Sequence, residues 1–297
     1  MAQPFENVAI IARRQDRSIS DTVLAVTEVV RSLGANVFYE DQTAAALPTI
    51  NGASVLPRKN LAKASDLVVV VGGDGSMLGV SRDISDAGVP IVGVNRGGLG
   101  FLAAVSPERL QQEFSAIWRG EFSLEEHFLL HAEVYRAGQL LHASNALNDV
   151  VVHAGSTARM LEFELLVDDE FVYEQRSDGV IVASPTGSTA YSLSAGGPIM
   201  HPSLDAIAIV PMFPHTLTSR PLVVKGKARL CIRLLQSKYT GQLSCDSQVN
   251  MPLEKGDEVH VRKSDAPLRL VYPQGHSFYE SCRSKLDWGS RLGGGVR

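Results

Sequence analysis

VVVVGGDGSMLG, residues Val68–Gly79, decides the fold. Four β-branched residues in succession read as a strand buried on both faces, as in parallel sheets. Three glycines (Gly72, Gly73, Gly75) then crowd around Asp74, and Ser76–Ala87 reads as a helix. The pattern extends upstream. Val8–Ala12 (VAIIA) is a short apolar run of strand length. Ser20–Leu33 has helical spacing, with Val23, Val26, Val29 or Val30, and Leu33 near one face. Ser20 or Asp21 suits its start, and Gly34 lies just past its end. Asn36–Tyr39 and Pro90–Val94 (PIVGV) are further strands. Helices alternating with short apolar strands argue for an α/β domain on a parallel sheet.

Near residue 123 the texture changes. Leu129–Tyr135, Arg-Ala-Gly and Gln139 onward form a hairpin signal, as do Leu161–Val167, Asp168-Asp169 and Phe171–Glu174. Val180–Ala183, Arg229–Leu235, Glu258–Val261 and Leu268–Tyr272 are later apolar strands. The expected organisation is an α/β nucleotide-binding domain over 1–122 and a mostly β domain over 123–272. The last twenty or so residues, ending RLGGGVR, read as a loose tail.

The chain has 297 residues, 44% of them hydrophobic, which is length enough for two cores. A net charge of -4 gives no electrostatic reason to expect nucleic acid or an anionic membrane as partner. Cys231, Cys245 and Cys282 are odd in number, far apart and without a CxxC, which fits a reducing compartment. No apolar run approaches 18 residues and the start lacks a signal-peptide pattern, so the expectation is a soluble, cytoplasmic protein.

Two named phosphate-binding patterns fail. The only Gly-Lys pair, Gly226-Lys227, is followed by Ala228, with Pro221 where the first P-loop glycine belongs. The first strand runs into Ala12-Arg13-Arg14-Gln15 with no glycine, and from Gly73 the spacing is GxGxxxG rather than GxGxxG. Even so, Gly72-Gly73 lets backbone amides approach a ligand closely, and a helix N-terminus beside them favours anions. A carboxylate there repels phosphate unless it has a task. It can accept the proton of an attacking hydroxyl, hold a metal that bridges phosphates, or simply serve as a turn and helix-cap residue.

Four clusters accompany it. GVNRGGLGFLAAV (Gly93–Val105) is a second glycine-rich loop after a strand, with Asn95 at its start. In NALNDVVVHAG (Asn145–Gly155), Asn148-Asp149 suits a ribose diol or an adenine edge, or a turn. QRSDGVIVASPTGSTAYSLSAGGPI (Gln175–Ile199) is the densest polar and glycine stretch, with Tyr191 offering a flat face to a base. LSCDSQVN (Leu243–Asn250) adds an acid and an amide after a strand. The eight histidines form no metal-ligand spacing, and Cys245 has no activating base nearby in sequence.

In this order, and across roughly residues 8–285, these motifs resemble the NAD kinase family. GGDG is shared with 6-phosphofructokinases and lipid kinases; TGSTAYSLSAGGPI is far more specific. The resemblance implies ATP-dependent phosphorylation of the adenosine-ribose 2′-hydroxyl of NAD, giving NADP. It also implies a divalent metal (magnesium or manganese), self-association to a dimer or tetramer, a β-sandwich-like second domain, and a C-terminal segment, 273–297, returning to the first domain. Carried over by position, Asp74 is the proton acceptor. Gly72, Gly73, Gly75, Ser76 and Asn95 form the phosphate loop. Asn148 and Asp149 hold ribose and adenine. Arg159, Arg176 and Asp178 complete the dinucleotide site. Thr189, Ala190, Tyr191, Ser192, Leu193 and Ser194 line it, and Gln248 closes it. Metal ligands are not assigned. The chain departs from the family pattern at Ser76 (more often threonine), Asp149 (more often glutamate) and CDSQ (more often DGQ). Two competing readings are a sugar or lipid kinase that shares GGDG and a catalytically idle NAD(P)-binding sensor.

Overall fold

The computed structural model describes residues 5–12, 17–47, 54–95, 100–155, 160–216, 218–236 and 241–288. They fall into two compact units. One runs up to Glu126 and resumes at Leu268; the other is His127–Pro267.

The first unit is built on one sheet. Its strand order is Ser54–Leu56, Asn36–Glu40, Asn7–Ala12, Leu67–Val71, Ile91–Val94, Leu268–Pro273 and Phe122–His127. Each neighbouring pair among the first six is parallel. Leu67–Val71 is buried throughout, as a run without alternation requires. One sheet face packs Val8, Ile10, Val69 and Val71 against Val23, Val26 and Val30 of the helix Arg17–Ser32, and against Phe114 and Ile117 of the helix Leu110–Trp118. From Asn7–Ala12 the chain winds to one side; from Leu67–Val71 it winds to the other. That reversal marks the carboxyl ends of these two strands as the place where open α/β sheets bind ligands. The GGDG turn leaves the sheet at that end.

Three expectations are corrected here. The strand Leu268–Pro273 does not join the β-rich sheets; it pairs with Ile91–Val94 in the first unit. An apolar strand carries no label for the sheet it completes. The tail is not loose from its start, since Phe278–Lys285 is a helix with Ser281 and Cys282 buried; the end of the chain from 289 lies outside the described residues. The helix after GGDG begins at Asp74, with Gly73 as its cap, and runs to Ile84.

The second unit is a sandwich of two antiparallel six-stranded sheets. One has the order Glu170–Ser177, Leu161–Val167, Leu230–Gln236, Glu258–Lys263, Leu130–Arg136 and Gln139–Ala146. The other has Leu222–Lys225, Ala206–Met212, Gly179–Ala183, Asp149–His153, Gly241–Cys245 and Val249–Leu253. Leu161, Phe163 and Leu165 of the first sheet meet Val150, Val152, Val180, Val182, Ile207 and Ile209 of the second in a common core. The second sheet is apolar on its other face too. There Val151, Ile181, Ala183, Ala208 and Val210 pack with Met200. That second layer explains why VIVA and DVVV read as continuous rather than alternating runs. Both expected hairpins form through paired left-handed residues, Ala137 and Gly138 (φ 49° and 79°) and Asp168 and Asp169 (φ 52° and 67°). Among the described residues no helix is long and apolar enough to cross a membrane.

Candidate active site

In the first unit, the strand Leu67–Val71 turns into its helix through Gly72, whose φ of +154° favours glycine. A side chain there would meet Ser76 Oγ at 2.4 Å, so Ser76 requires a glycine at 72. Ser76 and Met77 donate their amides to the carbonyl of Gly73. Asp74, in the first helical turn, does not cap it. Its carboxylate instead reaches across to the second glycine-rich loop. Oδ2 accepts the amide of Phe101 at 2.9 Å, and Oδ1 accepts those of Leu102 and Ala103 at 3.2 Å each. Gly100 makes room for this, since a Cβ there would lie 2.2 Å from Asp74 Oδ1. Gly93 likewise lets Ala103 approach its strand. The amide of Asn95 donates to Val105, and its side-chain Oδ1 faces Gly73 at 4.0 Å from a Cβ position. Tyr272, from the returning strand, donates to the carbonyl of Phe101 at 3.4 Å. Burial first, then Glu125 and Asp74, push its phenol strongly upward, so it stays neutral. The expected residues Gly72, Gly73, Asp74, Gly75, Ser76 and Asn95 thus lie at one end of the sheet, where the Asp74 carboxylate ties the GGDG turn to Phe101–Ala103.

In the second unit, three separate motifs are tied together. The carboxylate of Asp246 accepts the amides of Leu147 (2.9 Å), Asn148 (2.8 Å) and Asp149 (3.2 Å). Asp246 and Ser247 both have φ above +50°, in a two-residue turn closed by the Gln248 amide on Cys245. Ser184 donates its hydroxyl to Leu147 and its amide to Asn148, and accepts the Gly187 amide at 3.1 Å. Gly187 then lies flat on Asn148, whose carbonyl oxygen would be 2.0 Å from a Cβ. The hydroxyl of Ser188 bonds Pro185 and both backbone groups of Met200, which fixes the loop over the sheet. His127 adds a bond of 2.8 Å to Thr186.

Asp149 is the anomalous group of this knot. It is 3% exposed, yet its Oδ1 has no hydrogen-bond partner. Burial, and then the nearby Asp246, push its carboxyl up to about 7. A buried acceptor without a donor is costly in isolation and is suited to a ligand hydroxyl. Of the other expected residues, Thr189–Ser194 continue directly from Gly187, with Tyr191 44% exposed and Ser192 buried. Gln248 follows the Asp246 turn. Arg176 lies outside the knot, exposed and 3.7 Å from Glu162. Asp178 is held through its backbone to Met212 and Ala154. Arg159 falls outside the described residues. The sequence reading missed the anchoring role of Asp246 and the amides of Phe101–Ala103; the quoted motifs contained them, but only as candidate ligand contacts.

Among the described residues, no set of three metal ligands includes Asp74. Magnesium in phosphoryl-transfer sites needs only one or two carboxylates beside waters and substrate phosphates, and one carboxylate is what this turn offers.

Residues 8–122 match the ATP-NAD kinase N-terminal domain and residues 147–272 the ATP-NAD kinase C-terminal domain. An NAD kinase of Pseudomonas putida is 47% identical over 98% of this chain and 99% of its own. That of Pseudomonas fluorescens is 48% identical over 98% of both. Among solved structures, an Archaeoglobus fulgidus NAD kinase in complex with ATP superposes with a TM-score of 0.73 at 25% identity, covering 95% of this chain and 98% of that one. Yeast NADH kinase complexed with NADH gives a TM-score of 0.88 at 24% identity over 97% and 89%, a likeness of fold. By both domain matches and full-length relatives, the chain belongs to the ATP-NAD kinase family, the ATP-dependent kinases of NAD.

Proposed function

We propose that the chain transfers the γ-phosphoryl group of ATP to the 2′-hydroxyl of the adenosine ribose of NAD, giving NADP and ADP, with Asp74 as the proton acceptor. The observation that carries this reading is the fixation of the Asp74 carboxylate by three amides of Phe101–Ala103. Two carboxylate oxygens offer about four lone-pair positions, so three amides leave one for a single hydroxyl. A ribose hydroxyl is a poor nucleophile, and phosphoryl transfer passes through a loose transition state. Catalysis then rests on positioning and charge neutralisation, with Asp74 taking the proton late. Gly72, Gly73 and Gly75 let a phosphate approach the turn without a Cβ in the way, Ser76 offers its hydroxyl, and Asn95 borders them; the amides of Gly72 and Ser76 are given to the carbonyls of Val94 and Gly73. Asn148 and Asp149 hold the ribose and adenine. Thr189–Ser194, Arg159, Arg176, Asp178 and Gln248 complete the dinucleotide site. A divalent metal, magnesium or manganese, would neutralise phosphate charge when bound, held by the substrate phosphates and water, since the one position the amides leave on Asp74 goes to the ribose hydroxyl. No disulfide joins Cys231, Cys245 or Cys282, which suits a cytoplasmic protein, and Phe171 and Leu140, both exposed on edge strands of one sheet, suit self-association to a dimer or tetramer.

The test is direct. Purified protein is incubated with NAD, ATP and magnesium, and NADP is followed with an NADP-specific dehydrogenase. Asp74→Asn is expected to lower kcat at least about 100-fold with little change in NAD affinity. Weakened NAD binding at normal kcat would reassign Asp74 to binding. No NADP from a folded, NAD-binding wild type would leave an NAD sensor.

A further inference from the structure

The sandwich carries a second convergence of chemistry-bearing side chains, on the face of its first sheet turned away from the core. The strands Leu230–Gln236 and Glu258–Lys263 pair with Cys231 directly opposite His260. Glu258 lies two residues earlier on the same face. Cys231 Sγ is 3.9 Å from His260 Nε2, and that nitrogen is 3.1 Å from Glu258 Oε2. All three ligand atoms lie within 4.8 Å of one another. A tetrahedral zinc ion, with bonds of about 2.3 Å to sulfur and about 2.0–2.1 Å to nitrogen or oxygen, sets such separations at roughly 3.3–3.6 Å. Both contacts are within a few tenths of an ångström of that range.

The surroundings are those of a supported site. Arg233 donates to the other oxygen of Glu258 at 2.8 Å and to Glu164 at 2.7 Å, so the carboxylate is oriented without being used up. The rings of Tyr135 and His260 pack nearly perpendicular, at 79°, with centroids 5.2 Å apart. Burial first, then the carboxylate of Glu258, push the Cys231 thiol up to about 11, with Arg233 opposing, so the thiol keeps its proton until a cation displaces it. The Arg233–Glu258 ion pair accounts for one carboxylate oxygen. It does not account for a thiol in register with the imidazole.

We propose that Cys231, His260 and Glu258 form a binding site for a thiophilic divalent cation, zinc foremost, with water in the fourth position. Glu258, held ionised by Arg233, is an acceptor, so in the metal-free chain His260 donates to it through Nε2. On binding, zinc replaces that hydrogen. The imidazole proton moves to Nδ1, Cys231 releases its proton to solvent, and one proton leaves per zinc. This site is independent of the phosphoryl-transfer reading.

The full-length protein is stripped with chelator and titrated with cobalt(II), whose thiolate complexes absorb visibly. A sulfur-to-cobalt band saturating at one equivalent and displaced by zinc is expected. Cys231→Ser is expected to lose it, although Cys245 and Cys282 remain as thiols. His260→Gln is expected to weaken zinc binding at least about tenfold. Circular dichroism checks that both variants fold. Should Cys231→Ser not fold, alkylation of wild-type Cys231 read by mass spectrometry replaces it, with protection by one equivalent of zinc expected. A band retained in folded Cys231→Ser, no band in the folded wild type, or no protection would overturn the proposal.

Discussion

Asp246 accepts the amide of Asn148 at 2.8 Å, and so a residue of one hairpin turn sets the backbone of another motif. The same carboxylate takes the amides of Leu147 and Asp149. Asp246→Asn keeps the shape but turns a side-chain NH2 toward backbone N–H groups. Hydrogen bonds to a charged acceptor are worth about 1.5–3 kcal/mol each, and relief of the charge beside Asp149 offsets part of the loss. The expected result is destabilisation by about 2–3 kcal/mol in urea unfolding and a KM for NAD raised several-fold. An unchanged unfolding midpoint would remove the anchoring role.

Gly100→Ala tests the position of Asp74 without deleting its carboxylate. The new methyl would sit 2.2 Å from Oδ1, so the carboxylate must leave the amides of Leu102 and Ala103. A misplacement of about 1 Å costs on the order of 100-fold in rate where catalysis rests on positioning. We expect kcat to fall by about that factor while NAD binding persists. Wild-type kcat in this variant would show that the amide clamp is not needed for turnover.

The GGDG strand and helix were legible because four β-branched residues followed by glycines admit little else. The hairpins were legible from Ala137-Gly138 and Asp168-Asp169. What was not legible depended on long-range pairing. The partner amides of Asp74 lie in another loop, and nothing in FLAAV announces that its N–H groups face a carboxylate. Leu268–Pro273 looks like any apolar strand until its partner is known. Phe278–Lys285 buries only Ser281 and Cys282, so it lacks the apolar stripe that marks a helix. Cys231, Glu258 and His260 meet through sheet register, which spacing along the chain does not encode.

Ser247→Gly is expected to stabilise the protein. Ser247 holds a φ of +55°, a conformation that costs most side chains about 1–2 kcal/mol and glycine almost nothing. Greater freedom in the unfolded chain returns about 0.4–1 kcal/mol of that gain. The net expectation is about 0.5–1 kcal/mol, read as a higher thermal midpoint, with Ser247→Val moving it the other way. A lower midpoint for Ser247→Gly would mean that the serine hydroxyl contributes more than its backbone costs.

Asp149 makes stability fall with rising pH. Its carboxyl has an ordinary value of 3.8 and is pushed up to about 7 in the folded chain, by burial first and Asp246 second. Between about pH 4 and pH 7 the folded chain therefore keeps a proton that the unfolded chain has lost. The contribution is full below the lower value, shrinks as pH rises, and is gone above the upper one. Asp149→Asn carries no such proton. Its stability relative to wild type should climb from pH 4 to pH 7 and then level off, by no more than about 4 kcal/mol in total. A ribose hydroxyl donating to the unpartnered Oδ1 favours the ionised form, so NAD should flatten the wild-type slope and release a proton on binding near pH 7. Unfolding of both proteins at pH 5 and pH 8, with and without NAD, checks this. Parallel pH dependences for wild type and variant would show that Asp149 titrates like an exposed acid.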